Sequence, residues 1–322
     1  MQTTLPYMKQ LHNYSIITWN IRGLGSAGKR HRIHSYLTRR GIHIAVLQET
    51  HLTTTELVRL QKRWRGQLFG TGFSSFARGV LIWIRPSVPF RVLSHKLDKE
   101  GRFVYIQGLL DGSPLNILGI YAPNTNQIVF LHTLDQIIAD SLTDPLILCG
   151  DFNCTSNVHM DRSLPPLKGV QAHKASSELT KWTTDWNLVD GWRDTHPLDR
   201  EYTFFSHVHS LHTRIDMTFL SPQIAQQIHS AEILARTYSD HNPVLLALEW
   251  GPPRTPIPTW RLQCSALDDP VYRQTINEEI THFFTLNANT ASNPLIEWDA
   301  FKSYIRGICI KTSTGVRVTL RK

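Results

Sequence analysis

The stretch "LILCGDFN", from Leu146 to Asn153, predicts a buried strand that ends on polar side chains. Its first residues are all apolar, a pattern typical of a strand inside a sheet. Gly150 lets the backbone turn without a Cβ in the way. Asp151 and Asn153 emerge on one face because residues two apart on an extended chain point the same way, and Phe152 then points into the core. Both polar groups need water, a metal or a phosphate as partner, so this strand end is a candidate functional site.

Further strand-like runs on both sides of this stretch decide the predicted fold class. Some are continuously apolar and others alternate, as expected when one face of a sheet is fully buried and another partly. Many strands with fewer helices predict an α/β protein, a two-layer β-sandwich flanked by helices, with a helical C-terminal tail. The runs are "SIITWNI", "IHIAVLQE", "GVLIWI", "RFVYIQGLL", "LNILGIYA", "TRIDMTFL" and "VLLALEW". The helical candidates span residues 29–40, 53–64 (with a Thr-x-x-Glu capping signal), 127–141, 176–187, 269–286 and 294–311.

The composition is that of a folded protein with a basic surface. Of its 322 residues, 41% are hydrophobic and 19% charged, which excludes a disordered chain. The formal net charge of +8 favours a polyanionic partner, most commonly nucleic acid. The cysteines lack zinc-ligand spacing and are expected to be reduced thiols in an intracellular protein. They are Cys149, Cys154, Cys264 and Cys309.

A proline-rich segment divides the chain into two predicted parts. "GPPRTPIPT", residues 251–259, can form neither a helix nor an inner strand, and we interpret it as a linker. The predicted organisation is an N-terminal extension over 1–13, a main domain over 14–250, this linker and a helical tail over 260–322. Two helices make a poor independent core, so the tail is expected to pack on the main domain or on further chain. With neither a signal peptide nor a membrane span in the sequence, we expect a soluble protein without a membrane partner.

Polar side chains stand at the ends of most predicted strands. In α/β folds, such strand ends are where active sites gather. Each residue alone has a simpler explanation, since Asn and Asp form turns and a tyrosine can belong to the core. Together they supply carboxylates, carboxamides, a phenol and an imidazole, which turns do not require. These residues are Asn20, Glu49, Tyr121, Asp151, Asn153, Asp216, Asp240 and His241.

The order of these motifs resembles the endonuclease/exonuclease/phosphatase superfamily. Within it, the pattern is most similar to the apurinic-type endonuclease domain of LINE non-LTR retrotransposon ORF-two proteins. "DRS" after "GDFN" supports this resemblance. The tail from "TWRL" to "WDAFK" is similar to the start of the linker toward the reverse transcriptase of such proteins. The motifs are "TWNIRGL" (18–24), "VLQETH" (46–51), "IYAPN" (120–124), "GDFN" (150–153), "YTFFS" (202–206), "RID" (214–216) and "SDHNP" (239–243).

The resemblance implies a phosphodiester hydrolase that uses Mg²⁺, with Mn²⁺ as a possible substitute. It assigns metal binding to Glu49, Asn20 and Asp240, and catalytic roles to all eight strand-end residues. A carboxylate and a carbonyl oxygen suit Mg²⁺, which keeps most of its waters and binds few protein groups. Tyr121 is implied to donate a hydrogen bond to a phosphate oxygen.

The remaining catalytic residues are implied to handle the phosphate and its protons. His241, oriented by Asp216, contacts the scissile phosphate, and the pairing favours the charged imidazolium. Asp151, held in place by Asn153, handles the proton of the nucleophilic water or of the leaving group. Which carboxylate acts as the general base is left open.

The resemblance also implies a DNA-contacting hairpin at "SHVHSLHT", residues 206–213. A solvent-exposed hairpin tip is the simpler interpretation, and a zinc site built from its histidines is the least favoured. The arginine of "DRS" contacts a phosphate or the minor groove, or else belongs to a surface ion pair. Basic residues such as Lys29 and Arg30 either hold the duplex backbone or are simply solvated. The residues expected at the DNA are Arg22, Arg162, Thr203, His207, His209, His212 and Ser239.

The sequence therefore predicts a Mg²⁺-dependent endonuclease that nicks one strand of double-stranded DNA and leaves a 3′-hydroxyl. In the LINE context this hydroxyl primes reverse transcription in the nucleus, and element RNA is a partner only of a longer protein. No polymerase motif is present, since "LDDP" (267–270) stands at a helix start, so the chain is expected to be a fragment or a truncated copy. The alternatives are a cellular abasic-site repair nuclease, another phosphodiesterase or phosphatase of the superfamily, or a catalytically dead DNA-binding remnant.

Overall fold

The computed structural model of the protein describes residues 12–139, 144–164, 171–251, 267, 269–287, 297–298 and 300–309. The chain divides into two compact units, Met1–Pro253 and Arg254–Lys322. Within the described ranges, no helix is long and apolar enough to cross a membrane. Most of the predicted linker over 251–259 and of the predicted extension over 1–13 lies outside the described residues, as does Cys264, so those boundaries stay predictions.

The first unit is built from strands and short helices. The strands are β1 (His12–Asn20), β2 (Ile44–Gln48), β3 (Gln67–Gly70), β4 (Val80–Ile84), β5 (Phe90–Leu97), β6 (Phe103–Leu110), β7 (Ser113–Tyr121), β8 (Leu146–Asp151), β9 (Val189–Asp190), β10 (Phe204–Ser206), β11 (Leu211–Thr213), β12 (Asp216–Leu220), β13 (Ile228–Ile233) and β14 (Val244–Trp250). The helices are α1 (Ala27–Arg39), α2 (Thr54–Arg63), α3 (Gln127–His132), α4 (Asp135–Ala139), α5 (Gln171–Asp185), α6 (Gly191–Thr195) and α7 (Pro222–Ala225). All eight predicted strands are present.

Two six-stranded sheets carry the fold, in the orders β13-β14-β1-β2-β4-β3 and β5-β6-β7-β8-β12-β9. One apolar core lies between them and includes Val46 and Ile82 from the first sheet and Ile106 and Ile117 from the second. The outer face of the first sheet packs on α1 and α2, and that of the second packs on α3, α4 and α5. The predicted two-layer sandwich flanked by helices is confirmed.

Strand direction explains why the polar strand ends meet. β1 and β2 run parallel, as do β7 and β8, so their carboxyl ends point to one edge. β12 runs antiparallel to β8, and β14 runs antiparallel to β1, so their amino ends lie at that same edge. The register pairs Asp216 directly with Asp151. The predicted site residues therefore collect at one end of the sandwich, and Phe152 packs in the core as predicted.

Local signals set several helix ends. The predicted capping box at the start of α2 is present, with the Thr53 hydroxyl accepting the Glu56 N–H and the Glu56 carboxylate accepting the Thr53 N–H. The single helix predicted over 127–141 is wrong, because α3 ends after His132 and α4 starts at Asp135. The Asp135 carboxylate accepts the indole N–H groups of Trp182 (2.7 Å) and Trp186 (3.0 Å), which fixes the start of α4 against α5.

The described residues of the second unit form two helices, as predicted. One is α8 (Pro270–Asn287), and residues 300–309 are also helical. Asp269 accepts the N–H groups of Val271 and Tyr272 at the start of α8, so "LDDP" does open a helix. Tyr272, Ile276 and Cys309 form its small core. That the tail packs on the main domain or on further chain stays a prediction. The three described cysteines, Cys149, Cys154 and Cys309, are buried, and none forms a disulfide with another described residue, in agreement with the predicted reduced thiols.

The close approach of β7 to β8 makes the residue before Asp151 a sensitive position. A Cβ on Gly150, whose φ is +152°, would lie 2.0 Å from the carbonyl oxygen of Ile120. We expect Gly150→Ala to lower the free energy of unfolding by about 1–3 kcal/mol, because the strand must shift to relieve the overlap. The matched control is Gly25→Ala, since nothing lies within 4 Å of a Cβ there. Urea unfolding of both variants is the measurement, and equal stabilities would contradict the steric explanation.

Candidate active site

A carboxamide joins the two carboxylates that close β2 and β8. Asn20, only 1% exposed, donates through Nδ2 to Glu49 Oε1 at 3.0 Å and to Asp151 Oδ2 at 2.9 Å. Its Oδ1 accepts the backbone N–H of Arg22 at 3.1 Å. Because the amide nitrogen rather than the oxygen faces the carboxylates, Asn20 holds Glu49 and Asp151 in place in this structure.

Glu49 leaves the strand in a left-handed backbone conformation with a φ of +50°. Such a conformation is uncommon for a residue with a side chain, and it turns the carboxylate toward the sheet edge. Glu49 Oε2 lies 3.2 Å from His51 Nε2. Burial, and then the neighbouring Glu49 carboxylate to which it is hydrogen-bonded, raise the pKa of Tyr121 well above its ordinary value. Tyr121 is therefore a neutral hydrogen-bond donor at this site.

Asp151 is buried beside a second carboxylate. Its Oδ1 accepts the backbone N–H of Asn153 at 2.9 Å, and Asn153 donates through Nδ2 to the carbonyl of Ala122 at 2.7 Å. Burial and the negative charge of Asp216 raise the pKa of Asp151 to about 7, against the opposing effect of His241. A carboxyl group with such a pKa can hold or release a proton near neutral pH.

His241 and Asp216 form a buried acid–imidazole pair. Asp216 is fully buried, and its Oδ2 lies 2.8 Å from His241 Nδ1, which leaves Nε2 to face a substrate. Burial would lower the pKa of His241, but the Asp216 charge and hydrogen bond outweigh it and raise that pKa to about 9. The ring also packs on Phe204, with centroids 4.6 Å apart. The imidazole is thus charged at neutral pH, as expected of a phosphate-binding group.

The donor set of this site suits a divalent cation. Ligand-type atoms of Asp151, Asp216 and His241 lie within 4.8 Å of one another, the one such group among the residues that the structure describes. The two carboxylates are the members that can bind a cation while the imidazole is charged. The Oδ1 atom of Asp216 is buried without a hydrogen-bond partner. The Glu49 carboxylate is linked to Asp151 through the amide of Asn20, which donates to both. Buried carboxylate oxygens without enough donors are what a hard cation such as Mg²⁺ would satisfy.

Comparison with known proteins agrees with this geometry. Residues 17–241 match the model of the Endonuclease/Exonuclease/phosphatase family. The chain belongs to this family. It is 26% identical over 317 residues to a 149 kDa protein of transposon TX1 from Xenopus laevis, covering 94% of this chain and 23% of that protein. It is also 24% identical to an exodeoxyribonuclease of Bacillus subtilis (strain 168), covering 72% of this chain and 98% of that enzyme.

Solved structures of the family share the fold. The catalytic domain of Xenopus laevis APE2 aligns with a TM-score of 0.62 at 19% identity, over 73% of this chain and 91% of that one. The AP endonuclease LMAP of Leishmania major aligns with a TM-score of 0.59 at 18% identity, over 74% and 88%. A Neisseria 3′ phosphatase bound to a product DNA hairpin aligns with a TM-score of 0.58 at 22% identity, over 74% and 100%. Membership of this family confirms the predicted class, a metal-dependent phosphodiester hydrolase of the nuclease type.

One predicted metal ligand has another partner in this family member. The Asp240 carboxylate lies 2.6 Å from the Arg22 guanidinium and also accepts the Ser239 hydroxyl at 3.3 Å. It is not one of the three residues in the buried ligand group. In this structure Asp240 is the partner of Arg22, and its role as a metal ligand stays a prediction. Arg22, Ser239 and Lys29 line an open cavity beside Asp240, where a phosphate backbone could lie.

The predicted hairpin is present beside His241, which forms a β-bridge with Phe204. β10 and β11 pair as an antiparallel hairpin, and its tip around His207 and His209 is exposed. A cavity of about 600 Å³ lies between this hairpin and Asn153, and Arg162, Phe204 and His209 line it. Among the described residues, the histidines of this segment belong to no metal-ligand group, so the zinc interpretation finds no support.

Two other predicted DNA contacts differ in their surroundings. Thr203 is buried, and its hydroxyl accepts the backbone N–H groups of Ile215 and Asp216, both at 3.1 Å. The Thr203 side chain thus positions Asp216, and its contact with DNA stays a prediction. His212 is exposed and packs against the ring of Phe205 at 4.5 Å between centroids. Its contact with DNA stays a prediction.

Several residues near the site were not anticipated from the sequence. His51 bonds Glu49, and Arg102 lies over the Tyr121 ring, 5.0 Å from its centroid. Phe204, a residue of the "YTFFS" motif, packs on His241. A signal for His51 exists, since it stands two residues after Glu49 in "VLQETH". The apolar runs give no signal for Arg102, which precedes β6 and lies opposite Tyr121 through the register of the β6–β7 hairpin.

A buried charge network holds the "DRS" loop against the hairpin. Arg214, which is fully buried, donates to Asp161 Oδ1 at 2.8 Å and to Asp190 Oδ2 at 2.7 Å. Arg193 reaches the same Asp161 oxygen at 2.7 Å. Arg162, next in the chain, forms a β-bridge with Thr213. "DRS" and "RID" thus meet in space, and Asp161 rather than Arg162 makes the ion pair that the sequence left open.

Loss of one charge in this network should be costly. Asp161→Asn leaves Arg214 under-compensated in the core, and we expect the free energy of unfolding at pH 7 to fall by about 3 kcal/mol. Burial would raise the pKa of Asp161, but Arg214 and Arg193 outweigh it and lower that pKa. A carboxylate whose pKa is lowered in the folded state stabilises the protein fully at pH values above its ordinary pKa of about 3.9. This stabilisation is lost as the pH falls further, through the lowered pKa. The difference between wild type and variant should therefore shrink toward pH 3.

Urea unfolding at pH 7 and at pH 3 tests this expectation. The control is Glu178→Gln, which removes an exposed i,i+4 pair with Lys174 at 3.9 Å and should cost below about 1 kcal/mol. An Asp161→Asn loss no larger than that of the control would contradict the structural role of the network.

Proposed function

We propose that the protein is a Mg²⁺-dependent endonuclease that nicks one strand of double-stranded DNA and leaves a 3′-hydroxyl. The observation that carries the proposal is the pairing of a charged, Asp216-bound imidazole with a buried carboxylate of raised pKa at one edge of the sandwich. An imidazolium binds the anionic phosphate, while the carboxylate can accept a proton from water.

The residues divide the reaction between them. His241 donates through Nε2 to a non-bridging oxygen of the scissile phosphate, and the Tyr121 phenol donates to another. Asp151 takes the proton of the attacking water as its oxygen bonds to phosphorus. The bond from phosphorus to the 3′ oxygen breaks, and that oxygen takes a proton from solvent, which gives a 3′-hydroxyl and a 5′-phosphate. Asn153 and Asn20 keep the Asp151 carboxylate in place throughout.

A divalent cation fits the carboxylates described above. Glu49, with Asp151 and Asp216 close by, would hold it. When bound, Mg²⁺ supplies positive charge to the phosphoryl oxygens as negative charge develops there. Mn²⁺ is the substitute that the same oxygen ligands accept. Asn20 then serves chiefly to orient Glu49, because its amide nitrogen faces that carboxylate.

The duplex is proposed to cross the site between two polar walls. Arg22, Lys29 and Ser239 line the cavity on one side, and the hairpin with Arg162 and His209 lines the cavity on the other. Phosphate contacts of this kind fix the register of the protein on DNA, whereas the shape of the hairpin influences which target is chosen. The net charge of +8 supports a nucleic-acid partner.

Similarity to the Xenopus transposon protein supports a role in a LINE-type element. In that role the 3′-hydroxyl primes reverse transcription in the nucleus, and element RNA is bound only by a longer protein. The chain spans 23% of that relative, so this part of the proposal concerns a whole protein of which this chain would be one piece.

Metal-dependent nicking of supercoiled plasmid is the primary test. We expect wild type to convert it to relaxed circles with Mg²⁺ and to stop in EDTA. Glu49→Gln and His241→Ala should each slow nicking by about 100-fold or more, the usual cost of losing one group that stabilises the transition state. Glu178→Gln, far out on an exposed helix face, is the control and should retain the wild-type rate. Strong nicking in EDTA, or variants as active as wild type, would contradict the mechanism and favour a DNA-binding remnant.

Substrate choice separates this proposal from a related family activity. Intact duplex, duplex with one abasic site, poly(A) and a phosphoinositide are compared under the same Mg²⁺ concentration. We expect cleavage of intact duplex, because the two polar walls, one of which contains the hairpin, can bind an undamaged backbone. Cleavage of the abasic duplex alone would replace the proposal with a repair nuclease.

A further inference from the structure

An aromatic side chain projects from a loop beside the candidate active site. Phe76 is 87% exposed, the most exposed large hydrophobic side chain among the residues described. It stands at the tip of the loop between β3 and β4, residues 71–79. A single exposed ring does not by itself indicate a binding site. The loop around Phe76 supplies the further observations that do.

The loop is held in a fixed shape. The Ser74 hydroxyl accepts the backbone N–H groups of Phe76 (3.3 Å) and Ala77 (3.1 Å) at the tip itself. At its base, Phe73 N–H donates to the Leu52 carbonyl at 3.1 Å. The loop also packs closely on Gly101, where a Cβ would lie 2.9 Å from the Phe73 Cβ. The loop that carries Phe76 is thus preorganised, so it loses little conformational entropy when a partner binds.

The loop is tied directly to the residues that carry Glu49. The backbone N–H of His51 donates to the Arg78 carbonyl at 2.9 Å. His51 in turn lies 3.2 Å from the Glu49 carboxylate. Phe76 stands two positions before Arg78 in the chain, a span of at most roughly 7 Å. A substrate phosphate at Glu49 therefore places the neighbouring nucleotides within reach of the Phe76 ring.

Cationic side chains belong to the same loop as Phe76 and to the turn that adjoins it. Arg78 packs over Phe73 at 4.4 Å from the ring centroid and pairs with Glu100 at 2.8 Å. Arg102, which lies over Tyr121, and the exposed Lys99 belong to the adjoining turn. Aromatic rings interleaved with cations are typical of surfaces that bind nucleic acid, where bases stack and phosphates are neutralised.

We propose that Phe76 stacks on a base of the bound duplex, next to the scissile phosphate, while Arg78 and Arg102 face the flanking phosphates. The proposal rests on the DNA endonuclease function proposed above. An apolar ring that enters between base pairs partly unstacks them and bends the duplex. Flexible pyrimidine–purine steps yield most easily. Phe76 is therefore a determinant of where the protein nicks.

Binding to a duplex oligonucleotide tests the proposal without cleavage when EDTA is present. The duplex carries 2-aminopurine at the step beside a nick site mapped on plasmid, so unstacking raises its fluorescence. We expect Phe76→Ala to weaken binding by at least about 5-fold, as for other lost base–aromatic stacks, and to abolish the fluorescence rise. Phe76→Trp should keep both, because an indole also stacks. Leu93→Ala, an exposed apolar position on β5, is the matched control and should behave as wild type.

The outcomes separate the two proposals. If wild type binds and nicks duplex DNA but Phe76→Ala shows the same dissociation constant and the same 2-aminopurine signal, the role of Phe76 is overturned. If Phe76→Ala and Phe76→Trp both bind more weakly than wild type and both lack the fluorescence rise, stacking is overturned as the cause. If wild type neither binds nor nicks duplex DNA, the endonuclease function itself fails, and the inference about Phe76 fails with it.

Discussion

The antiparallel register of β12 on β8 is the constraint on which the site depends. It places Asp216 directly opposite Asp151, so two carboxylates share one buried edge. Their mutual repulsion is offset locally: His241 pairs with Asp216, and Asn20 and Asn153 donate to Asp151. A shift of one residue would send one of these carboxylates to the other face of the sheet. The close approach at Gly150 and the Thr203 hydroxyl both act to hold this register.

Electrostatics at this edge follow from burial. A buried carboxylate beside another favours its protonated form, whereas an imidazole beside a carboxylate favours its charged form. The raised pKa of Asp151 therefore suits it to accept a proton near neutral pH, and the raised pKa of His241 suits it to bind an anion. The Asp161–Arg214–Asp190 network lies just behind the hairpin and keeps it rigid beside the site.

Sequence patterns predict the strands of the sandwich core and most of the residues of the candidate active site. Apolar runs mark the buried strands, and polar residues mark where those strands end. They miss β3, β5, β9 and β13, which are short, polar or at a sheet edge. They also cannot show side-chain direction: Thr203 looks exposed in sequence but is buried, and Asp240 turns to Arg22. Contacts across paired strands, such as that of Arg102 before β6 with Tyr121 of β7, depend on the register of the hairpin, which apolar runs do not fix.

The chemistry of the nick is the most direct measurement of what this edge of the sandwich does. Plasmid nicked by the protein is incubated with a DNA polymerase and labelled nucleotides, with and without prior treatment by a 3′ phosphatase. Attack of water that expels the 3′ oxygen predicts full extension without the phosphatase, since each nick already carries a 3′-hydroxyl. Nicks that are extended only after phosphatase treatment would show that the opposite bond breaks, and would contradict the proposed roles of Asp151 and His241.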